Sequence, residues 1–226
     1  MRFGALGDIH GDFSSVRRIM RQHPDIPFWV SVGDLADADG RYEPVDAPLY
    51  WIKGNNENFD AIASGDLPAG LHHIANGALE TVMGVKVAGL GGTYAPTTYE
   101  VRAADLPHPG KGTVQATALA DRRRHFVREE VDACKRLTDV DILLTHEAAR
   151  PYVIGHGPGR GNDAGKTPIN EVLAAMKPRL HLFGHHHRFT EQERQGVRSV
   201  GLDLVSKSYL LIERGPADAL DYHVVS

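Results

Sequence analysis

Seven residues of metal-ligating type fall in five short stretches: Asp8 and His10 in GDIHGD, Asp34 in GDLAD, Asn55 in GNNE, His146 in LLTHE, and His185 and His187 in FGHHH. GDLAD carries a further carboxylate, Asp37. Each stretch ends a segment that reads as a strand. In a sheet packed between helices, ligands gather at the carboxyl ends of the strands. If these strands share a mostly parallel sheet, all five stretches meet at one edge. Side-chain alternation with a period of two then puts Asp8 and His10 on one side. It treats His185 and His187 the same way, with His186 pointing away. Preceding glycines suit sharp turns where the backbone comes close to a bound ion. Two carboxylates, one amide and four imidazoles exceed the needs of one tetrahedral ion. They fit two divalent ions that share a carboxylate. Mixed nitrogen and oxygen donors suit Mn²⁺, Fe, Zn²⁺ or Ni²⁺.

The elements that must position these residues alternate in the first half of the chain and turn strand-rich at the end. RFGALGD, FWVSVGD and APLYWIKGN read as three strands, with an amphipathic helix over SSVRRIMRQH. NFDAIASG reads as a short helix ended by Gly65, and ALETVMGVKVAGLGG as a hairpin turning at Met83-Gly84. TALADRRRHFVREEVDACKRL is the longest helical pattern, which makes Arg122 to Arg124 a solvated helix face rather than a substrate clamp. DVDILLTHE and RLHLFGHHH read as strands. Between them TPINEVLAAMK is a helix, with Thr167 as its N-cap and Pro168 at its first position. GVRSVGLD, SYLLIER and LDYHVVS read as closing strands. Residues 93–117 and 148–167 are connections too long for simple turns, and they are expected to form the rim of the site.

The order D-x-H-G, G-D-x-x-D, G-N-x-E, T-H, G-H-x-H, from Asp8 to His187, resembles that of the calcineurin-like metallophosphoesterases. The resemblance implies an α/β (α+β) fold, a sandwich of two mixed β-sheets flanked by helices, with residues 1–226 as a single domain. It implies a two-metal phosphoester hydrolase. Asp8, His10 and His187 would bind one ion, Asn55, His146 and His185 the other, and Asp34 would bridge them. VAGLGGTY and RRRHFVREEV carry a further similarity to the RNA lariat debranching branch. That branch typically lacks the first-strand aspartate that is present here as Asp8.

Position 56 departs from the family pattern. Many family phosphatases have a histidine there, which donates a proton or a strong hydrogen bond to the leaving oxygen, and the residue matching Asp37 orients it. Asn56 can donate a hydrogen bond but cannot act as a general acid. Asp34, Asn55, Asn56 and Asp37 are therefore the expected catalytic set, with phosphodiesters favoured over monoesters. The alternatives are a phosphomonoesterase or protein phosphatase of the same family, or a non-catalytic metal-binding interaction module. His125, His156 and His186 are candidates for a substitute acid. The substrate classes left open are a nucleotide, a nucleic-acid end, a phospholipid fragment and a small diester.

Bulk properties set outer limits. The chain has 226 residues, 42% of them hydrophobic and 24% charged, as in an ordinary globular protein. A formal net charge of -4 argues against a generic nucleic-acid binder. Cys134 is the only cysteine, which leaves no disulfide framework. With no spanning apolar run and no signal-like start, the expected location is cytoplasmic, with no membrane partner. Oligomeric state is not legible. GRGNDAGKT, residues 159–167, misses the phosphate-loop spacing by one residue and reads as rim.

Overall fold

The computed structural model describes residues 1–107, 121–154 and 161–226. The chain opens with β1 (Arg2–Leu6), α1 (Phe13–Gln22), β2 (Trp29–Ser31), β3 (Leu49–Trp51), α2 (Phe59–Ser64) and β4 (Leu71–His73). It continues with β5 (Leu79–Val82), β6 (Val85–Leu90), β7 (Thr93–Tyr94), β8 (His125–Phe126), α3 (Arg128–Lys135) and β9 (Ile142–Thr145). Next come β10 (Val153–Ile154), β11 (Asn162–Asp163), α4 (Thr167–Met176) and β12 (Leu180–Phe183). It closes with β13 (Thr190–Arg194), β14 (Val197–Gly201), β15 (Tyr209–Arg214) and β16 (Leu220–Val225).

Two six-stranded sheets result, ordered β16-β15-β1-β2-β3-β4 and β13-β14-β12-β9-β6-β5. Both are mixed. The run β1-β2-β3-β4 is parallel and β15 and β16 close it antiparallel. The run β14-β12-β9-β6 is parallel, with β13 and β5 antiparallel at its edges. Period-two alternation decides what each strand buries where. Ile142 and Leu144 of β9 join Val30, Val32 and Ile52 between the sheets. Leu143 turns outward and packs with Val131 of α3 and Val172 of α4. Trp29 and Trp51 face α1 on the other side of the molecule, among Val16, Ile19 and Met20. The layers are therefore helix, sheet, sheet, helix, and the expected sandwich is the observed fold.

The hairpin at Met83-Gly84 forms as expected, both residues having positive φ (50° and 85°). Gly65 ends α2 in the left-handed region at φ 73°. Two expectations fail. The N-cap of α4 is Lys166, so Thr167 already lies inside the helix. Of the long helix expected through Arg122, only the later part forms among the described residues, as α3. Asp121 instead caps a single 3₁₀ turn over Arg122–Arg124, accepting from the Arg123 amide at 2.9 Å. β8 follows at once and pairs in parallel with β7. The cause is tertiary. Lys53 Nζ donates to the carbonyls of Arg123 and His125 at 2.9 and 3.2 Å, taking acceptors that a helix would use internally. Strands β4 and β13 were not expected, because both are polar strands at sheet edges without an apolar run. Residues 108–120, which include the end of the first long connection and the start of the long helical pattern, and residues 155–160, which include His156 and the start of GRGNDAGKT, lie outside the described residues.

Candidate metal centre

The parallel strands β1, β2, β3, β9 and β12 all point their carboxyl ends to one edge, where the five motifs meet. The loops there are tied to one another through the main chain. The amides of Ile9 and His10 donate to the Asp34 carbonyl at 3.0 and 2.7 Å, and Gly184 N donates to the His146 carbonyl at 3.2 Å. His185 N donates to both carboxylate oxygens of Asp8, at 3.2 and 3.0 Å. Two glycines allow this crowding. A Cβ on Gly54 would overlap Oδ1 of Asp34, and one on Gly184 would overlap Oδ1 of Asp8. The glycines thus make room for carboxylates, which is more specific than the turn-making role expected of them.

Among the described residues two clusters of ligand-type atoms form, Asp8–His10–His187 and Asp34–His146–His185, with the atoms of each within 4.8 Å of one another. In the first, His187 Nε2 lies 3.0 Å from Asp8 Oδ2 and 3.1 Å from His10 Nε2. In the second, His146 is fully buried, its Nδ1 at 2.8 Å from the Val32 carbonyl and its Nε2 at 3.0 Å from Asn55 Oδ1. Asp34 Oδ2 sits 3.6 Å from His10 Nε2 and 3.6 Å from His146 Nε2, between the clusters. All seven ligand-type residues of the sequence reading come together. The pleat rule that predicted their sides does not describe how. His10, Asp34, His185 and His187 have φ of 47°, 51°, 70° and 48°, so these residues sit in left-handed turns beyond the strands. That is why His185 and His187 part company, one to each cluster. His186 turns aside and stacks on Tyr152, ring centroids 4.6 Å apart.

The charges fit cations. Burial would raise the Asp34 carboxyl, but His146, two donors from Asn56 and His10 overcome it and hold it below the ordinary range. Burial would lower His146, and Asp34 and Asp8 reverse that. The hydrogen bond to Asp8 raises His187. Hydrogen-bond donors and imidazoles are thus set against two buried carboxylates. The His10–His187 contact joins two nitrogens, so one ring must carry the proton between them. Each cluster could hold a divalent ion, for which imidazole, carboxylate and amide oxygen are suitable donors.

Asn56 engages Asp34 twice, its amide N–H to Oδ1 at 2.8 Å and its side-chain Nδ2 to Oδ2 at 2.9 Å. Asp37 uses Oδ1 to cap its own turn, accepting from the amides of Asp39 and Arg41 at 2.8 Å each. Asp37, His10 and Asn56 line one open cleft of about 370 Å³ beside the clusters. Sequence reasoning assigned no role to Glu57, the last residue of GNNE. It is buried and accepts from the amides of Leu35 and Gly54 (3.1 Å each) and Ala36 (3.4 Å), and from Tyr42 Oη at 2.9 Å. It therefore ties the Asp34 loop to the Asn55 loop. Burial and the neighbouring Asp34 push its carboxyl up to about 8, against the pull of those donors. Of the substitute-acid candidates, burial lowers His125 and lowers His186 to about 4.

The rim differs from the expectation at its base. Part of residues 148–167 is a ribbon of β10 and β11, fastened by Asp163 to the amides of Tyr152 and Gly165 at 2.8 and 2.9 Å. Val153 and Ile154 are exposed on it.

The family profile for calcineurin-like phosphoesterase matches residues 1–189. No curated protein matches the sequence. Among solved structures, TT1561 of Thermus thermophilus superposes with a TM-score of 0.62 at 15% identity, covering 98% of this chain and 97% of that one. A novel archaeal phosphodiesterase aligns over 100% of both chains, with a TM-score of 0.50 and 10% identity. GAP50, the anchor in the inner membrane complex of Plasmodium, gives 0.55 at 13% identity, covering 100% of this chain and 84% of that one. These identities establish the fold alone. Nothing in them supports the debranching branch in particular. Among the described residues, no helix is long and apolar enough to cross a membrane.

Proposed function

Because the chain belongs to the calcineurin-like phosphoesterase family, we propose that it is a phosphoester hydrolase that works with two divalent ions and prefers diesters to monoesters. The observation that carries this reading is Asp34 standing 3.6 Å from a histidine of each cluster, as a shared ligand must. Asp8, His10 and His187 would hold one ion, and Asn55, His146 and His185 the other. Two such ions supply Lewis acidity and an acidified water at neutral pH.

The remaining work belongs to the chain. Asn56 fixes both oxygens of Asp34, so the shared carboxylate cannot rotate away from either cluster. Glu57 holds the two loops that carry Asp34 and Asn55 at a constant spacing. The substrate enters from the side of His10 and His187, the more exposed ligands, where the cleft with Asn56 and Asp37 lies open. Asn56 has no proton to give, and its amide already serves Asp34. A leaving group must therefore depart as a stable anion, which favours an activated diester over an alkyl monoester.

The test is hydrolysis of matched mono- and diesters over a range of leaving-group pKa, with metal analysis. We expect activity that chelation abolishes and Mn²⁺ restores. Asp34→Asn should lose nearly all turnover while the protein stays folded. Turnover at the wild-type level in that variant would refute the site. Folded, metal-loaded protein that hydrolyses none of the esters would favour the non-catalytic module instead.

A further inference from the structure

The cations around the metal clusters are mostly paired. Arg123 bonds Asp121 and Asp60, at 3.0 and 2.9 Å. Lys166 Nζ lies 3.4 Å from Glu147. Lys53 is bonded to main-chain carbonyls. Arg124 differs. It is partly buried, and its Nε is shut away from water with no hydrogen-bond partner among the described residues. Nor does it make an ion pair with any described residue. A shielded guanidinium donor without an acceptor is costly, and a planar fork of N–H groups fits the oxygens of a phosphoryl group.

Its place in the fold gives it a direction. Arg124 immediately precedes β8, which is hung on the ligand edge at two points. Lys53, two residues before Asn55, grips the carbonyls on either side of Arg124. β7, the partner of β8, is anchored by Tyr94 N donating to Glu147, the residue after His146, at 2.5 Å. The Arg124 carbonyl packs so closely on Gly92 that a Cβ there would crowd it. Burial lowers the basicity of Arg124, and the carboxylate that opposes this is Asp34, the proposed shared ligand.

We infer that Arg124 is a phosphoryl clamp, a permanent cation whose guanidinium holds the non-bridging oxygens of the phosphoester at the two clusters. The inference rests on the phosphoesterase reading. It deepens that reading by placing on the chain a fixed positive charge for the developing transition state, where position 56 offers no general acid. A charge that needs no proton suits a singly charged diester.

The experiment compares wild type with Arg124→Gln, Arg124→Lys and Arg122→Gln, all loaded with Mn²⁺. Arg122 is exposed on the same turn and controls for loss of charge alone. The readouts are the Kd of inorganic phosphate, the number of bound Mn²⁺, and kcat and KM for an activated aryl diester. We expect Arg124→Gln to weaken phosphate binding about 10-fold or more, the scale of one charge-assisted contact, with manganese content unchanged. Arg124→Lys should keep part of the affinity, and Arg122→Gln should match wild type. If Arg124→Gln does not fold, the lysine variant carries the test, because it keeps charge and stem but loses the fork. Wild-type affinity in both Arg124 variants would overturn the clamp. So would equal losses in Arg122→Gln and Arg124→Gln, or a wild-type protein that binds no phosphate. If wild type turns over no ester yet Arg124→Gln still weakens phosphate, the clamp stands and the hydrolase reading falls.

Discussion

Asn56 commits its side chain to Asp34, and that contact separates two roles that substitutions can test. The main-chain donor to Oδ1 survives any side chain, whereas the donor to Oδ2 at 2.9 Å is specific to the amide. Asn56→Asp is nearly isosteric but places an acceptor against a carboxylate. It should lower metal affinity or turnover about 10–100-fold, the usual effect of losing a partner of a metal ligand. Asn56→His should raise the ratio of monoester to diester kcat/KM even if total activity falls, because an imidazole can protonate an alkoxide. Metal titration and paired substrate kinetics on both variants check this. An unchanged ratio in Asn56→His would show that protonation of the leaving group is not what position 56 controls. At this scale the convergence of the seven ligand-type residues was legible, because each follows a strand in a motif of distinctive order. Arg124 and Glu57 were not. The role proposed for Arg124 rests on an Nε with no hydrogen-bond partner among the described residues, and that of Glu57 on amides that only the folded chain brings to it.

Elements show where local pattern and tertiary demand agree. The strands leading into the site were legible from their apolar runs. The turn and strand at Arg122–Phe126 were not, because a partly buried lysine from another loop claims their carbonyls. Strands β9, β12 and β14 are cross-linked by a buried polar chain that sequence alone does not reveal. Thr145 Oγ1 donates to the Glu147 carbonyl at 2.6 Å, so its 2.8 Å contact with His181 Nε2 requires a proton on that nitrogen. Nδ1 then accepts from Ser199 Oγ at 3.0 Å. The neutral ring is satisfied, and burial lowers its pKa to about 3. An unfolded histidine takes up its proton near ~6.5. Between those values the unfolded chain binds more protons than the folded one, so stability falls as pH drops from about 6.5 toward 3. At pH 5 the His181 contribution is a loss of about 2 kcal/mol relative to neutral pH. His181→Gln should be less stable at pH 7 but lose about that much less between pH 7 and 5. Urea unfolding in chelator measures both, and parallel pH slopes would mean that His181 is protonated in the fold.

At the scale of the molecule, the two sheets meet at an edge that neither completes alone. Asp8, His10, Asp34 and Asn55 follow strands of the first sheet, and His146, His185 and His187 follow strands of the second. Each cluster draws on both. The sandwich itself follows from alternating apolar faces, which is why it was legible, but the seam between the sheets is defined only by the pairing of distant loops. Apolar packing holds the sheets together beneath the site. At the seam, two buried carboxylates are compensated by hydrogen bonds and imidazoles. Ions that bind only the closed edge would join the sheets and stabilise the whole fold by linkage. Each site filled at 100 times its Kd adds about 2.7 kcal/mol. For a chain of this size that raises Tm by about 5–11 °C per site. Thermal unfolding with chelator and then with graded Mn²⁺ should show such a rise, saturating near two ions per chain. Asp34→Asn should lose most of it, because one substitution weakens both sites. A ligand serving only one ion, such as His187→Ala, should keep roughly half. An Asp34→Asn protein with the full rise would show that Asp34 is not shared, and equal shifts in both variants would show that the clusters fill as one.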